Sequence, residues 1–300
     1  MAFELDLTTA ERVRAQITSQ QEREIRNLYR RVLRSINKEA KKLPNTTSGV
    51  LRGMYLSKLK GQIRDQLDSL GKSLENTIIR NMENVVDAVI EDNLGFLAQV
   101  DLLVEGAFSH VSRDIVESVI TGRIYQGNWS LSRSIWKHNQ KTMRDINKII
   151  AEGIAQNKGS YDIAKELEKY VNPSARKDWA WSKVYPGTAK VIDYNAQRLA
   201  RTMVSHAYQQ AFVRTTQRNP FVTKYRWDSS NSGRTCKLCD SRDGVLFEKD
   251  ELPLDHPNGM CTFIAVMDQP MTDMADRIAD WALGGSDPEL DDYAEYLRNS

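Results

Sequence analysis

Three cysteines and one histidine in the last third of the chain are the residues whose types and spacing could do chemistry. Cys236 and Cys239 form a C-x2-C pair, and after sixteen residues His256 and Cys261 form an H-x4-C pair. A C-x2-C turn brings two thiolates to one ion, and a returning loop can complete a tetrahedral Cys₃His set, which suits Zn²⁺. Four protein ligands would close the coordination sphere, so the spacing predicts a structural zinc ion that stabilises a small domain.

Two other interpretations of this segment stay open. The cysteines could be free thiols beside a loop histidine, or the C-x2-C pair could be a redox motif, although no thioredoxin-like βαβ pattern surrounds it. His110, His138 and His206 are scattered along predicted helices and are interpreted as surface or packed side chains. Three cysteines in one short segment do not fit a disulfide-stapled secreted domain, so reduced thiols in a cytosolic setting are expected.

Basic and aromatic residues around the cysteines favour a second hypothesis, a zinc-stabilised module that binds nucleic acid. Tyr225 and Trp227 could stack on bases while cationic neighbours hold phosphates. The five basic residues that would form this surface are Lys224, Arg226, Arg234, Lys237 and Arg242. Six acidic residues between 228 and 251 dilute their positive charge. DNA binding is therefore expected only as a secondary property.

An enzyme is the remaining alternative. Asp255-His256 with Asn258, near a C-x2-C pair, has a faint similarity to His-Asn-His nucleases, but the second histidine of their metal-activating core is missing. The sequence also has no Gly-x-Ser-x-Gly elbow and no glycine-rich phosphate loop. A non-enzymatic protein without catalytic residues is predicted.

Long amphipathic helices must position this segment. Apolar residues recur at three- and four-residue steps over 8–42 and again over about 50–93, with a break at Pro44 and Gly49. An irregular aromatic stretch covers 172–188. Further helices are predicted at 97–122, after a cap at Ser130 or Ser132, after Gly159-Ser160, and at 190–218.

After Pro220 the pattern changes to short strands. Alternating or β-branched runs predict strands at 223–227, 245–247 and 262–266, followed by an amphipathic helix at 269–283 and a polar tail. The expected fold is mainly α, with an elongated helical N-terminal region and a small α+β, zinc-stabilised C-terminal module. The predicted divisions are a long-helix region at 1–120, a helical segment at 121–189, the Cys/His module at 190–267 and an acidic helix and tail at 268–300.

Composition and charge narrow the class of protein. The 300 residues are 40% hydrophobic with a mean hydropathy of -0.54, and no apolar run approaches the ~18 residues of a membrane span. The N-terminus lacks the pattern of a secretory signal. The net charge of +2 divides into +7 over 1–80 and -7 over 268–300. A basic helical face can meet DNA or an acidic protein surface, or can simply be solvated.

Together these residues resemble the phage head morphogenesis family, which includes the Mu F-like minor head proteins. The resemblance covers roughly 120–267 and is most specific over 198–266. It rests on Gly159-Ser-Tyr-Asp-Ile-Ala164, Arg198-Leu-Ala-Arg201-Thr202, Trp227, Arg234-Thr-Cys236-Lys-Leu-Cys239, Gly244 and His256-Pro-Asn-Gly-Met-Cys261. The family's last motif often has two cysteines, and Gly259 stands where the first would be. One Cys₃His set is still complete.

The resemblance implies a minor capsid protein that acts beside the portal during procapsid assembly. Its expected partners are the portal protein, the major capsid or scaffolding protein and phage DNA, because some members are proposed to touch DNA or affect its delivery. The implied location is the virion or procapsid, with the host cytoplasm as the site of assembly, and no membrane is expected.

Overall fold

The fold is that of a computed structural model, which describes residues 3–5, 8–42, 44–100, 102, 107, 108, 110–125, 127, 129–171, 194–229 and 235–299. Two compact units make up the chain. The sheet unit contains residues 1–20, 78–128 and 199–300, and the helical unit contains residues 21–77 and 129–198. Arg234 and the predicted aromatic stretch at 172–188 lie outside the described residues.

Two long helices, α1 (Thr8–Lys41) and α2 (Gly49–Gln99), confirm the first two predicted helices. Within the sheet unit, the Ala10 N–H at the start of α1 donates to the Asp92 carboxylate of α2 at 2.8 Å. This bond satisfies a backbone donor that the helix itself leaves free and places a negative charge at its N-terminus. The predicted packing stripe of α2 is buried at Leu56, Leu59, Ile63, Leu67, Leu70 and Leu74.

Three shorter helices follow: α3 (Val111–Thr121), α4 (Leu131–Ala155) and α5 (Ser160–Val171). The predicted cap is confirmed at Ser130, whose hydroxyl accepts from the Arg133 N–H at the start of α4. The prediction of one helix over 97–122 is wrong. Among the described residues of this range, 97–99 end α2 and α3 begins at Val111. Phe108 between them has a φ of 63°, which a right-handed helix does not allow.

The predicted helix at 190–218 is α6 (Tyr194–Thr216), and it packs against the sheet. Four antiparallel strands, β1 (Phe3–Leu5), β2 (Lys224–Asp228), β3 (Leu246–Glu248) and β4 (Thr262–Met267), lie in the order β1-β4-β2-β3. Trp227 pairs with Phe263 in the β2–β4 register, and both are buried. Phe212 of α6 meets Phe263 and Tyr225 with ring centroids 5.8 and 5.2 Å apart. This aromatic core fixes the helix over the sheet.

A short helix, α7 (Lys237–Asp240), lies between β2 and β3, and two helices, α8 (Met271–Ala282) and α9 (Pro288–Asn299), end the chain. The predicted polar tail after Gly285 is therefore wrong. Leu290, Tyr293, Ala294 and Leu297 recur with helical spacing and are buried in the sheet unit.

The described part of the chain is mainly helical with one small antiparallel sheet, which confirms the prediction of a mainly α fold with a small α+β module. No helix within these residues combines the length and apolar character needed to cross a membrane.

Candidate metal centre

The turn at Cys236 and Cys239 brings two thiols together. Cys236 is extended and caps α7, and its sulfur accepts a hydrogen bond from the Cys239 N–H at 3.5 Å. One turn of helix therefore presents both Sγ atoms to the same side, with Cys236 exposed and Cys239 buried.

His256 closes over these two thiols. Its Nε2 atom lies 3.2 Å from Cys236 Sγ and 3.0 Å from Cys239 Sγ. Its Nδ1 atom lies 3.1 Å from the Pro257 carbonyl, which can only accept, so Nδ1 carries the proton. In the neutral ring the lone pair is then on Nε2, aimed at the sulfurs, as metal-binding histidines require.

Cys261 and Asp255 complete the cluster. The donor atoms of Cys236, Cys239 and His256 lie within 4.8 Å of one another, and so do those of Cys239, Asp255 and Cys261. A tetrahedral zinc ion separates its S and N ligand atoms by roughly 3.5–3.8 Å. Cys236, Cys239, His256 and Cys261 therefore lie close enough to hold a metal ion, and their donor set fits one.

The protonation of the thiols depends on their surroundings. The Cys239 N–H, which donates to the Cys236 sulfur, lowers the pKa of Cys236 to about 7. Burial raises the pKa of Cys239 and of Cys261. Burial alone would lower the pKa of His256, but the Pro257 carbonyl and the Asp255 charge outweigh it and raise that pKa. A bound dication would favour all three thiolates.

The Asp255 carboxylate shapes the loop that carries His256 and Cys261. Asp255 is 4% exposed, and its two oxygens accept from the His256 N–H at 2.7 Å and the Cys261 N–H at 3.2 Å. A Cβ atom at Gly259 would overlap this carboxylate. The position at which the resembled family often has a cysteine is thus closed by Asp255 in this chain.

One polar face of α6 binds the same loop. Thr202 accepts from the Asn258 N–H at 2.8 Å, and Ser205 donates to the Gly259 carbonyl at 2.8 Å. Gln209 accepts from the Asp255 N–H at 2.8 Å and donates to the Pro253 carbonyl at 2.7 Å. These side chains recur at three- and four-residue steps, so a single helix face holds the ligand loop.

His206 belongs to this face as a packed residue, and is not a candidate ligand. Its Nε2 donates to the Asp255 carbonyl at 2.9 Å, and its Nδ1 accepts from the Tyr125 hydroxyl at 2.8 Å. Burial lowers the pKa of His206. The neutral ring therefore serves as a bridge between Tyr125 and the ligand loop.

Arg14 of α1 holds the other side of the loop. Its guanidinium donates to the Cys261 carbonyl at 2.9 Å and to the Met260 carbonyl at 3.1 Å. The same group lies 4.1 Å from the centre of the Tyr208 ring. Arg14 is only 3% exposed, so this fork is part of the core.

Arg14, Asp255 and the α6 face were not predicted from the sequence as parts of the site. The spacing of Thr202, Ser205, His206 and Gln209 was the available signal, because polar residues that recur at helical steps share one helix face and need partners where that face is buried. Nothing in the sequence links Arg14 to a loop that lies 247 positions away.

Four of the five basic residues predicted to bind nucleic acid are described, and they lie in the same module. Lys224 pairs with Glu248 at 2.9 Å, and the Arg242 guanidinium lies 4.9 Å from the centre of the Trp227 ring. Lys237 is exposed and Arg226 is half-buried. Their proposed role in binding stays a prediction.

Comparison with known protein families gives a match to part of the chain. Residues 144–264 match the family described as phage Mu protein F like protein. This range lies inside the 120–267 range of the resemblance and contains α6 and all four candidate ligands. No curated protein and no solved structure matches the chain.

Proposed function

Residues 144–264 relate this chain to the phage Mu protein F-like family of head morphogenesis proteins, and from that premise we propose a minor capsid protein of a bacteriophage head. The protein acts beside the portal during procapsid assembly, with the major capsid or scaffolding protein as a further neighbour. It catalyses no reaction. The family match is the observation that carries this proposal.

The proposed role of the metal centre is structural. Cys236, Cys239, His256 and Cys261 hold one Zn²⁺, which ties α7 to the loop before β4. The lone pair of His256 Nε2 aimed at two sulfurs supports this assignment. A closed Cys₃His site adds folding free energy directly, which compensates for the small core of such a module.

Assembly with the phage head is tested by a pull-down from infected cells. Tagged full-length protein is expected to retain the portal protein together with the major capsid or scaffolding protein. A tagged, unrelated cytoplasmic protein of similar size serves as the control. Recovery of neither head component above this control would refute the proposed role.

Metal content is tested separately on purified protein. We expect about one zinc per chain by elemental analysis, lost in Cys236→Ser and kept in the control Leu238→Ala, whose exposed side chain lies in the same turn. Chelation is expected to lower the melting temperature. Metal-free protein with unchanged thermal stability would exclude the structural zinc and leave the capsid role standing.

A further inference from the structure

The two units carry opposite charge. The helical unit has 26 Lys and Arg against 13 Asp and Glu, a net of +13, and the sheet unit has 16 against 27, a net of -11. The near-neutral net charge of the chain is therefore the sum of a strongly basic helical unit and a strongly acidic sheet unit. A net charge of +13 attracts anions unless nearby negative charges neutralise it.

The basic charge of α1 lies on its exposed face in the helical unit. From residue 21 to 41, the acidic side chains Glu22, Glu24 and Glu39 are all half-buried. The exposed basic side chains recur over four turns and are Arg23, Arg26, Arg30, Arg31, Arg34 and Lys38. A face of this kind is a track of positive charge about 20 Å long.

Helix α4 repeats this pattern in the same unit. Its two acidic residues, Asp145 and Glu152, are buried and half-buried, respectively. Its exposed basic side chains include Arg133, Lys137, Lys141 and Arg144. In both helices of this unit, therefore, the basic side chains are exposed and the acidic side chains are half-buried or buried.

A polar groove between α2 and α4 adds aromatic and amide groups. Its volume is about 260 Å³, and Arg64, Arg144 and Trp136 line it together with one acid, Asp68. Trp136 is 60% exposed. The wall also includes three amide side chains and two apolar ones, which are Asn139, Gln140, Asn147, Leu67 and Met143. This volume is below that of most cofactor pockets, so it suits a single base or phosphate.

We propose that the exposed faces of α1 and α4, with the Trp136 groove between α2 and α4, form a nucleic-acid-binding surface of the helical unit. The arginines and lysines hold backbone phosphates, and Trp136 stacks on a base beside the Arg64 and Arg144 guanidiniums. The inference rests on charge and geometry and does not depend on the family match.

Nucleic acid explains the groove better than an acidic protein surface does. Carboxylates of a protein would satisfy the cations but would give no reason for an exposed tryptophan ringed by amides. Bases present both a π-face and hydrogen-bonding edges, and binding of single strands typically combines a cationic groove with stacking aromatics.

This surface differs from the basic residues near the metal centre. Lys224 and Lys237 belong to the sheet unit, whose net charge is -11, and Lys224 already pairs with Glu248. The two surfaces therefore make opposite predictions for matched lysine substitutions.

The test measures binding of the full-length protein to one DNA sequence, as duplex and as single strand, by fluorescence anisotropy. Lys137→Gln/Lys141→Gln is compared with the matched control Lys224→Gln/Lys237→Gln over about 50–200 mM salt. We expect the first pair to raise Kd about tenfold and to lower the salt slope by about one per lysine. The control pair is expected to leave both unchanged.

Two further measurements keep the proposal open to refutation. Arg26→Gln/Arg30→Gln on α1 repeats the charge test should the α4 variant fold poorly, and Trp136→Ala is expected to weaken single-stranded binding about tenfold and duplex binding less. The proposal is overturned if the wild type binds no DNA or if only the Lys224/Lys237 variant loses affinity. Competition by polyglutamate as effective as that by DNA of equal charge would instead assign the surface to an acidic protein.

Discussion

At residue scale, Asp255 and Gly259 depend on each other. The carboxylate occupies the space that any side chain at 259 would need, so Gly259→Ala is expected to destabilise the protein by about 1–3 kcal/mol. Denaturant unfolding measures this loss. In an Asp255→Ala background the same substitution should cost much less, because the overlapping group is gone.

A glycine in α2 provides the control for this double-mutant comparison. Gly61 lies in α2, and a Cβ atom added there would meet nothing within 4 Å, so Gly61→Ala is expected to stabilise the protein by roughly 0.5–1 kcal/mol. Equal costs of Gly259→Ala with and without Asp255 would show that the carboxylate does not set the loop.

Arg14 gives a second prediction at this scale. Lysine keeps the charge but cannot donate to two carbonyls as a fork, so Arg14→Lys is expected to cost about 1–3 kcal/mol and to weaken metal binding about 10–100-fold. Competition with a chromophoric chelator measures the affinity. The exposed Arg12→Lys on the same helix should change neither quantity, and an unaltered metal affinity in Arg14→Lys would argue against positioning of the loop.

Spacing alone predicted Cys236, Cys239, His256 and Cys261 as a ligand set, because structural zinc sites typically take their ligands from short-range pairs. The residues that orient them could not be found in this way. Asp255 looks like an ordinary loop acid, and its burial depends on two backbone N–H groups that only the folded loop presents. Their positions are set by tertiary contacts, which leave no local pattern.

At the scale of elements, α9 is predicted to stabilise the sheet unit. Tyr293 is 2% exposed, so Tyr293→Ala is expected to cost about 3–5 kcal/mol, by analogy with other large buried rings. Tyr296→Phe removes a 2.6 Å hydrogen bond to the Arg214 carbonyl and should cost only about 1 kcal/mol. Thermal unfolding compares the stabilities of these two variants. Asp292→Ala, on the exposed face of α9, is the control that should leave stability unchanged. A Tyr293→Ala protein as stable as the control would mean that α9 contributes no core.

The contact of α1 with α4 in the helical unit predicts a pH dependence. His138 Nε2 lies 2.6 Å from the Tyr29 hydroxyl, and burial, with the Lys141 charge, lowers the pKa of His138 from 6.5 to about 4. Below pH 6.5 the unfolded chain binds a proton that the folded ring resists. Stability is therefore expected to fall by ~2–3 kcal/mol between pH 7 and pH 4 through this residue.

The variant His138→Gln isolates this contribution. Glutamine can keep a hydrogen bond to Tyr29 but does not titrate, so the difference in unfolding free energy between wild type and variant should shrink as the pH falls. Urea unfolding at several pH values measures it, with the exposed His110→Gln as control. A difference that stays constant with pH would place the acid sensitivity elsewhere.

Most helices and three strands followed from periodicity, because a helix that packs on one side repeats its apolar residues. Two predictions were wrong for physical reasons. The stretch at 97–122 has helical composition, yet Phe108 takes a left-handed backbone conformation between α2 and α3. Residues 286–300 contain five acidic residues, which favour a polar tail, although Leu290, Tyr293, Ala294 and Leu297 form a buried helix face.

At the scale of the whole molecule, the net charge of +2 conceals a division that the sequence shows only in part. The basic first 80 residues and acidic last 33 are visible directly in the sequence. The helical unit, however, draws on two separate stretches, 21–77 and 129–198, and its +13 appears only once the fold assigns residues to units. Charge per structural unit, and not charge along the chain, is therefore the relevant quantity for binding.

The same division predicts a local response to metal removal. The proposed zinc ion, the α6 face that holds its loop and the strands β2 and β4 all belong to the sheet unit. Chelation is expected to speed amide hydrogen exchange in β2, β4 and the 253–261 loop. The bound metal raises the free energy needed for local opening there, and its removal lowers that free energy. Amides of residues 56–74 and of α4, in the helical unit, should exchange at unchanged rates. Uniform acceleration across both sets would instead show that the two units unfold as one cooperative structure that the metal stabilises throughout.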